Sequence, residues 1–300
     1  MIVAHNDLDG VISAAFLRMR YPDENSLFFI SYDRDRFEIL RDIILDKDER
    51  RFVLLDIAIR SEEIPVLKQI LSSTDYSLYV DHHKDSCYEQ LSFSETVHDT
   101  TKAACELAFN LLDDNQKTGL TRWWAEIGRD RDLAINEHLE TGRALDFLAR
   151  NNGRKLADYI LAGKTPLEVI ELERETIDRS TRMFIRAKLL YELTRYEEEI
   201  NGIRWVIGLT TGYATDISYD ILSSSTEDKV LIFLMPKDYT RTGYRLIVSL
   251  RSNRLDISRI AKSLGGGGHP LAAGCSIEIE RDSATLPAIL RLLHRESCRV

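Results

Sequence analysis

Three short segments carry the side chain types from which metal-assisted hydrolysis is built. "HNDLDG" places His5, Asp7 and Asp9 within five residues, "LLDIAI" isolates Asp56, and "YVDHHKD" sets Asp81 beside His82 and His83. Imidazole and carboxylate together suit a borderline-hard divalent ion such as Mn²⁺. So many carboxylates cannot stay ionised in one crevice without cations, because each raises the pKa of the next. The ligands are numerous enough for two ions. Taken singly, each segment has a plainer explanation. An aspartate at a strand end commonly caps a turn or helix, paired histidines are often loop residues, and "HNDLDG" could be a turn with Asp9 capping and Gly10 easing the backbone. Each group directly follows an apolar run, however, and coincidence at all three places is the less economical account.

The runs that must position these groups are "MIVAH", "LFFISY", "RFVLLDIAI" and "YSLYVDHH". They are rich in Ile, Leu, Val, Phe and Tyr without strict alternation, as in strands of a parallel sheet buried on both faces. Helical patterns lie between them. Ile12, Ala15, Phe16 and Met19 share one helix face, as do Ile64, Leu67 and Leu71 behind the capping Ser61. The alternation predicts an α/β fold with right-handed crossovers, whose ligands gather at the carboxyl ends of the strands.

Neither proline nor glycine interrupts the chain between Pro166 and Gly202, which reads as one or two long helices. Ile170, Ile177, Phe184 and Tyr191 form a stripe there that can pack on either neighbour or support a homodimer. The expected organisation is a metal-binding catalytic domain over residues 1–165, a helical connector over 166–201, and a smaller α/β domain over 202–300. The last has strands at "RWVIGL", "KVLIFLM", "YRLIVSL" and "CSIEIE" and helices near 256–263 and 286–294. Its own signal is "SLRSNRLDISRIAKSLGGGGHPLAAG". Gly265, Gly266, Gly267 and Gly268 followed by His269 allow backbone N–H groups to approach an anion and form a nest. Arg251, at a strand end in a locally basic stretch, can grip a phosphate in two places.

A chain of 300 residues favours more than one core. Apolar residues make up 44% and charged residues 30%, as in ordinary globular proteins. Four scattered cysteines without CxxC spacing point to reduced thiols. No apolar run is long enough to cross a bilayer, and the opening "MIVAH" reads as a strand rather than an export signal, so a cytoplasmic setting without membrane partners is expected. A net charge of −9 argues against tight holding of long duplexes but leaves short oligonucleotides and nucleotides open as partners.

In order along the chain, "HNDLDG", "LLDIAI", "YVDHH" and "GGGGHPLAAG" resemble the DHH-family phosphoesterases that carry a DHH-associated C-terminal domain. The resemblance spans nearly the whole sequence. That family includes RecJ-type exonucleases, oligoribonucleases acting on very short RNA, cyclic-dinucleotide phosphodiesterases and phosphatases of 3′-phosphoadenosine 5′-phosphate. It implies two divalent ions, commonly Mn²⁺ with Mg²⁺ or Co²⁺ as alternatives, and hydrolysis of phosphoesters. By position, His5, Asp7 and Asp56 would hold one ion. Asp9, Asp56, His82 and a fourth-motif aspartate would hold the other, with Asp56 as the bridge. That aspartate lies in "WWAEIGRDRDL" and is taken as Asp130, with Asp132, two residues on, as its understudy. Asp81 would orient His82, His83 would contact the scissile phosphate, and Arg251, Gly265–Gly268 and His269 would hold the far end of a short oligonucleotide. Pyrophosphate hydrolysis and non-catalytic nucleotide binding are the less favoured alternatives.

Overall fold

The computed structural model describes residues 1–24, 26–31, 36–47, 50–135, 137–223, 225–239 and 243–280. The chain divides into two compact units, residues 1–180 and 181–300.

The first unit is built on five parallel strands, β1 (Ile2–His5), β2 (Leu27–Ile30), β3 (Arg51–Leu55), β4 (Tyr76–Asp81) and β5 (Glu95–His98), in the order β2-β1-β3-β4-β5. Side chains alternate across a strand, and both faces are covered. Ile2, Ala4, Val53, Leu55, Leu78 and Val80 enter one core with α1 (Leu8–Arg20), α4 (Ala104–Asn110), α5 (Gly119–Asp132) and α6 (Leu139–Leu161). Met1, Val3, Phe52, Leu54 and Tyr79 enter a second core with α2 (Arg36–Lys47) and α3 (Ile64–Ser72). This double burial is why the strands read as unbroken apolar runs. The chain leaves β1 to pair β2 on one side and returns to pair β3 on the other, so strand order reverses between β1 and β3. Ligand crevices form at the carboxyl ends of strands at such a point.

The sequence reading anticipated four of these strands. β5 was not among them: its "ETVH" is half-buried at the sheet edge and carries too little apolar patterning to announce itself. The stretch after Pro166 holds two helices, α7 (Pro166–Leu172) and α8 (Arg174–Thr194). Thr165 caps α7 reciprocally with Glu168. Beyond Thr194 the chain turns to strand β6 (Tyr196–Ile200), whose "YEEEI" has the composition of a helix. Pairing with β7 (Ile203–Leu209) overrides that propensity. The apolar stripe is divided between the units. Ile170 packs on the first core, whereas the Tyr191 ring meets Phe233 at 4.6 Å and its hydroxyl donates to the Val206 carbonyl.

The second unit is a six-stranded sheet in the order β10-β11-β9-β8-β7-β6. β8 (Lys229–Tyr239) runs parallel to β7 after a crossover through α9 (Ala214–Leu222), and the other neighbours are antiparallel. β9 (Gly243–Ser252), α10 (Ser258–Ser263), β10 (Gly267–His269) and β11 (Ala272–Glu280) complete the described part. The helix expected near 286–294 lies outside the described residues. Among the described residues no helix is long and apolar enough to cross a membrane.

The glycine run has a conformational explanation. Gly265 adopts a left-handed φ of 76° directly after α10. Its N–H donates to the Lys262 carbonyl and that of Gly266 to the Ala261 carbonyl, a Schellman C-cap. A Cβ on Gly266 would lie 2.1 Å from the Gly274 carbonyl oxygen, while one on Gly267 would meet nothing within 4 Å. Gly266→Ala should therefore destabilise the second unit by about 1–3 kcal/mol and Gly267→Ala by well under that. Thermal melts of the two variants check this, and equal melting temperatures would refute it.

Candidate metal centre

β1 ends at His5, and α1 begins at Leu8 with Asp7 as its N-cap, accepting the Gly10 N–H at 3.1 Å. A Cβ on Gly10 would stand 2.3 Å from the His5 carbonyl oxygen, so glycine is what lets the turn fold back on the strand end. Asp9 accepts the N–H groups of Ala104 and Cys105 at 2.9 and 2.7 Å. Asp56 follows β3 with φ at 56°, a left-handed conformation uncommon outside glycine that recurs at functional sites. Surrounding structure holds it there. The Asp56 N–H donates to the Val80 carbonyl, Arg36 donates to the Ala58 carbonyl, and the Tyr79 hydroxyl lies 3.0 Å from the Ile57 carbonyl.

These loops bring the groups onto one ledge. Asp56 Oδ2 faces His5 Nδ1 at 3.8 Å, and His5 Nδ1 is 2.7 Å from Asp7 Oδ2. Asp56 Oδ1 faces His82 Nε2 at 3.4 Å and His83 Nδ1 at 4.0 Å. His82 Nε2 lies 3.9 Å from Asp9 Oδ2 and 3.5 Å from Asp132 Oδ2. Three sets of possible ligand atoms, each within 4.8 Å of one another, result: His5, Asp7 and Asp56; Asp9, His82 and Asp132; and Asp56 with Asp81, His82 and His83. Asp56 is thus shared, one oxygen to each side. Its Oδ2 and the Nε2 of His82 are buried without a hydrogen-bond partner. Orphaned polar atoms among carboxylates and imidazoles fit divalent cations.

The electrostatics agree. Burial, then the charges of Asp7, Asp9 and Asp132, pushes the Asp56 carboxyl well above the usual range. Burial, Asp9 and Asp7 do the same to Asp132, and burial raises Asp9 despite His82. His82 is lowered, chiefly by burial. For Asp7, burial is outweighed by His5 and Arg150, and its carboxyl is held low.

In the second unit, His269 pairs with Ala272 and Ala272 with Arg251 across adjacent antiparallel strands. The three side chains therefore share a face, with only the Ala272 methyl between the larger two. The Arg251 guanidinium donates to the hydroxyls of Ser249 and Thr215. The Gly265 and Gly266 N–H groups cap α10, so half of the expected anion nest is committed to the helix.

Comparison with known proteins matches residues 1–129 to the DHH family N-terminal domain and residues 209–295 to the DHHA1 domain. The chain belongs to the DHH family. A curated relative of this DHH phosphoesterase is oligoribonuclease NrnB of Bacillus subtilis (strain 168), 22% identical over 312 residues, covering 93% of this chain and 73% of NrnB. Among solved structures, the pGpG-specific phosphodiesterase PggH from Vibrio cholerae superposes with a TM-score of 0.59 at 14% identity, over 98% of this chain and 99% of that one. Manganese-bound RecJ from Thermus thermophilus gives 0.61 at 15% identity, over 100% of this chain and 52% of RecJ. At such identities the structural likenesses speak for the fold.

The DHH match stops before Asp130 and Asp132, and the geometry brings Asp132 to the ledge rather than the expected Asp130. Residues two apart on a helix point to opposite sides. Asp132 joins His82, whereas both oxygens of Asp130 accept N–H groups, from Glu137 and His138, in the turn into α6. Asp81 also differs from expectation. Its Oδ1 takes His83 Nδ1 at 2.7 Å, not His82, because alternate residues of an extended chain share a side. Its Oδ2 lies 2.5 Å from the Tyr79 hydroxyl. The sequence reading missed Asp146, 1% exposed on α6. That carboxylate accepts Leu8 N–H, Arg131 and Arg150, tying the Asp7–Asp9 turn to the residue before Asp132. No sequence motif marks it, since the link spans 138 residues.

With their pKa values raised on folding, Asp56 and Asp132 bind protons more readily in the folded chain. That stabilisation is complete below the ordinary carboxylate range and is lost as pH rises through the raised values. Asp7 and Asp146, shifted down, are ionised in both states across this window and contribute no slope. In EDTA the melting temperature should therefore fall as pH rises above the ordinary carboxylate range. Asp56→Asn, which tolerates the left-handed backbone, should flatten the fall. A wild-type curve independent of pH would show that the carboxylates do not repel as described.

Proposed function

We propose that this phosphoesterase hydrolyses short oligonucleotides with two divalent cations, Mn²⁺ foremost and Mg²⁺ or Co²⁺ as alternatives. His5, Asp7 and Asp56 would hold one, and Asp9, Asp56, His82 and Asp132 the other. The observation that carries this reading is the shared Asp56 carboxylate, each oxygen turned to a different imidazole. Bound ions would neutralise phosphate charge and bring the pKa of a water toward neutrality. The chain's own groups do the rest. Asp81 fixes the tautomer and orientation of His83, whose Nε2 is assigned to the scissile phosphate. Asp146, Arg131 and Arg150 hold the Asp7 turn and the end of α5 in place. Arg251 and His269, on one face of the second sheet, are assigned a phosphate or terminal nucleotide. An oligoribonuclease and a pGpG phosphodiesterase among the relatives support a short linear RNA substrate.

The test is a Mn²⁺-supplemented panel of RNA and DNA from two nucleotides upward, with a cyclic dinucleotide, 3′-phosphoadenosine 5′-phosphate and pyrophosphate alongside. Turnover should be greatest on the shortest linear RNA, and exclusive turnover of pyrophosphate would overturn the reading. Asp132→Ala should lower kcat by more than the roughly 100-fold that loss of an outer partner costs, and Asp130→Ala should act mainly on melting temperature. The reverse ranking would restore Asp130 as the ligand. Arg251→Ala should raise KM for a dinucleotide more than for a small chromogenic diester, and equal changes would remove Arg251 from substrate binding.

A further inference from the structure

Four rings stand in a row from the second core to the carboxyl edge of the sheet. Phe93 stacks on Tyr79 with centroids 5.1 Å apart, Tyr79 meets Tyr88 at 5.3 Å, and Tyr88 meets His98 at 4.6 Å. Tyr79 is fully buried, while Phe93 and Tyr88 lie partly buried against that core. His98 ends β5 and pairs in register with Asp81. Its Nε2 lies 3.0 Å from the His83 carbonyl oxygen. A carbonyl only accepts, so Nε2 carries the proton and the ring is pinned. The row thus ends one strand from Asp81, against the loop that carries His82 and His83. No step assigned above uses Tyr88 or His98.

We infer that the tilted Tyr88–His98 ring pair, both rings only partly buried, is the platform on which a nucleobase beside the scissile phosphate lies. The inference rests on the phosphodiesterase reading above. An aromatic surface backed by buried rings and fixed by a hydrogen bond is preorganised, and every base has a π-face to offer it. Stacking tolerates any sequence, as an enzyme acting on mixed short RNAs requires. The competing role is structural, with His98 only propping the His83 loop through its hydrogen bond. Two substitutions separate these roles. His98→Phe keeps a ring and loses the donor, whereas His98→Asn keeps a donor and loses the ring.

Steady-state kinetics on a linear dinucleotide and on its counterpart abasic at one position or the other provide the readout, with thermal melts as the folding control. His98→Asn and Tyr88→Ala should raise KM for the dinucleotide about tenfold or more, leave kcat nearly unchanged, and leave the abasic substrate at one position unaffected. His98→Phe should retain the wild-type KM. Binding of a 2-aminopurine dinucleotide should quench its fluorescence in the wild type and His98→Phe, and much less in His98→Asn. If His98→Phe loses kcat on both substrates while His98→Asn keeps it, the ring is a prop and the platform is refuted. If the dinucleotide is turned over with KM unchanged in Tyr88→Ala and His98→Asn, the platform fails while the phosphodiesterase reading stands. If the wild type turns over neither substrate, that reading fails and the platform with it.

Discussion

Mutual repulsion among buried carboxylates is the constraint on which the first unit is organised. Asp56 is 2% exposed and Asp9 likewise, yet each faces further aspartates across a few ångströms. Such a cluster raises its own pKa values, leaves Asp56 Oδ2 and His82 Nε2 without hydrogen-bond partners, and lowers the stability of the fold that holds it. Proteins keep arrangements of this kind where ligand binding relieves the strain. Divalent cations bound there would relieve it by satisfying the orphaned atoms and cancelling the charge.

The fold makes the repulsion possible. A parallel sheet buried on both faces is rigid, and its order reverses between β1 and β3, so the strand ends carrying His5 and Asp56 adjoin a crevice. Local devices finish the placement. Gly10 lets the Asp7–Asp9 turn close on β1, and the left-handed backbone at Asp56 turns its carboxylate between two imidazoles. Asp146 lies outside the ledge but fastens both ends of the ligand set through Leu8 and Arg131. Two arginines around one buried carboxylate also keep that added negative charge compensated.

The second unit separates shape from grip. Its glycine run owes two of its members to the end of α10 and to the close approach of Gly274. Beside that run, Arg251, Ala272 and His269 form a row across three strands. That division explains why a run that looks like an anion nest in one dimension is mainly a helix terminus followed by a tightly packed strand.

Residue types and short spacings were enough to reveal an α/β fold with histidines and aspartates at successive strand ends, because double burial writes strands as apolar runs and metal ligands come from a short chemical list. The same reading missed β5 and β6, whose edge positions and polar side chains leave no periodic signal. It put Asp130 ahead of Asp132, whereas Asp132 is the one that faces His82, since helix phase relative to His82 is set by how α5 packs. It gave Asp81 to the wrong histidine, because which side chains share a side depends on how the chain leaves β4. Asp146 and the Tyr79–Tyr88–His98 row were invisible for a further reason: their partners are distant in sequence or ordinary in type. The sequence alone determined which chemistry this protein carries; only tertiary packing decided which atoms face one another, because contacts between remote segments depend on backbone phase and register rather than composition.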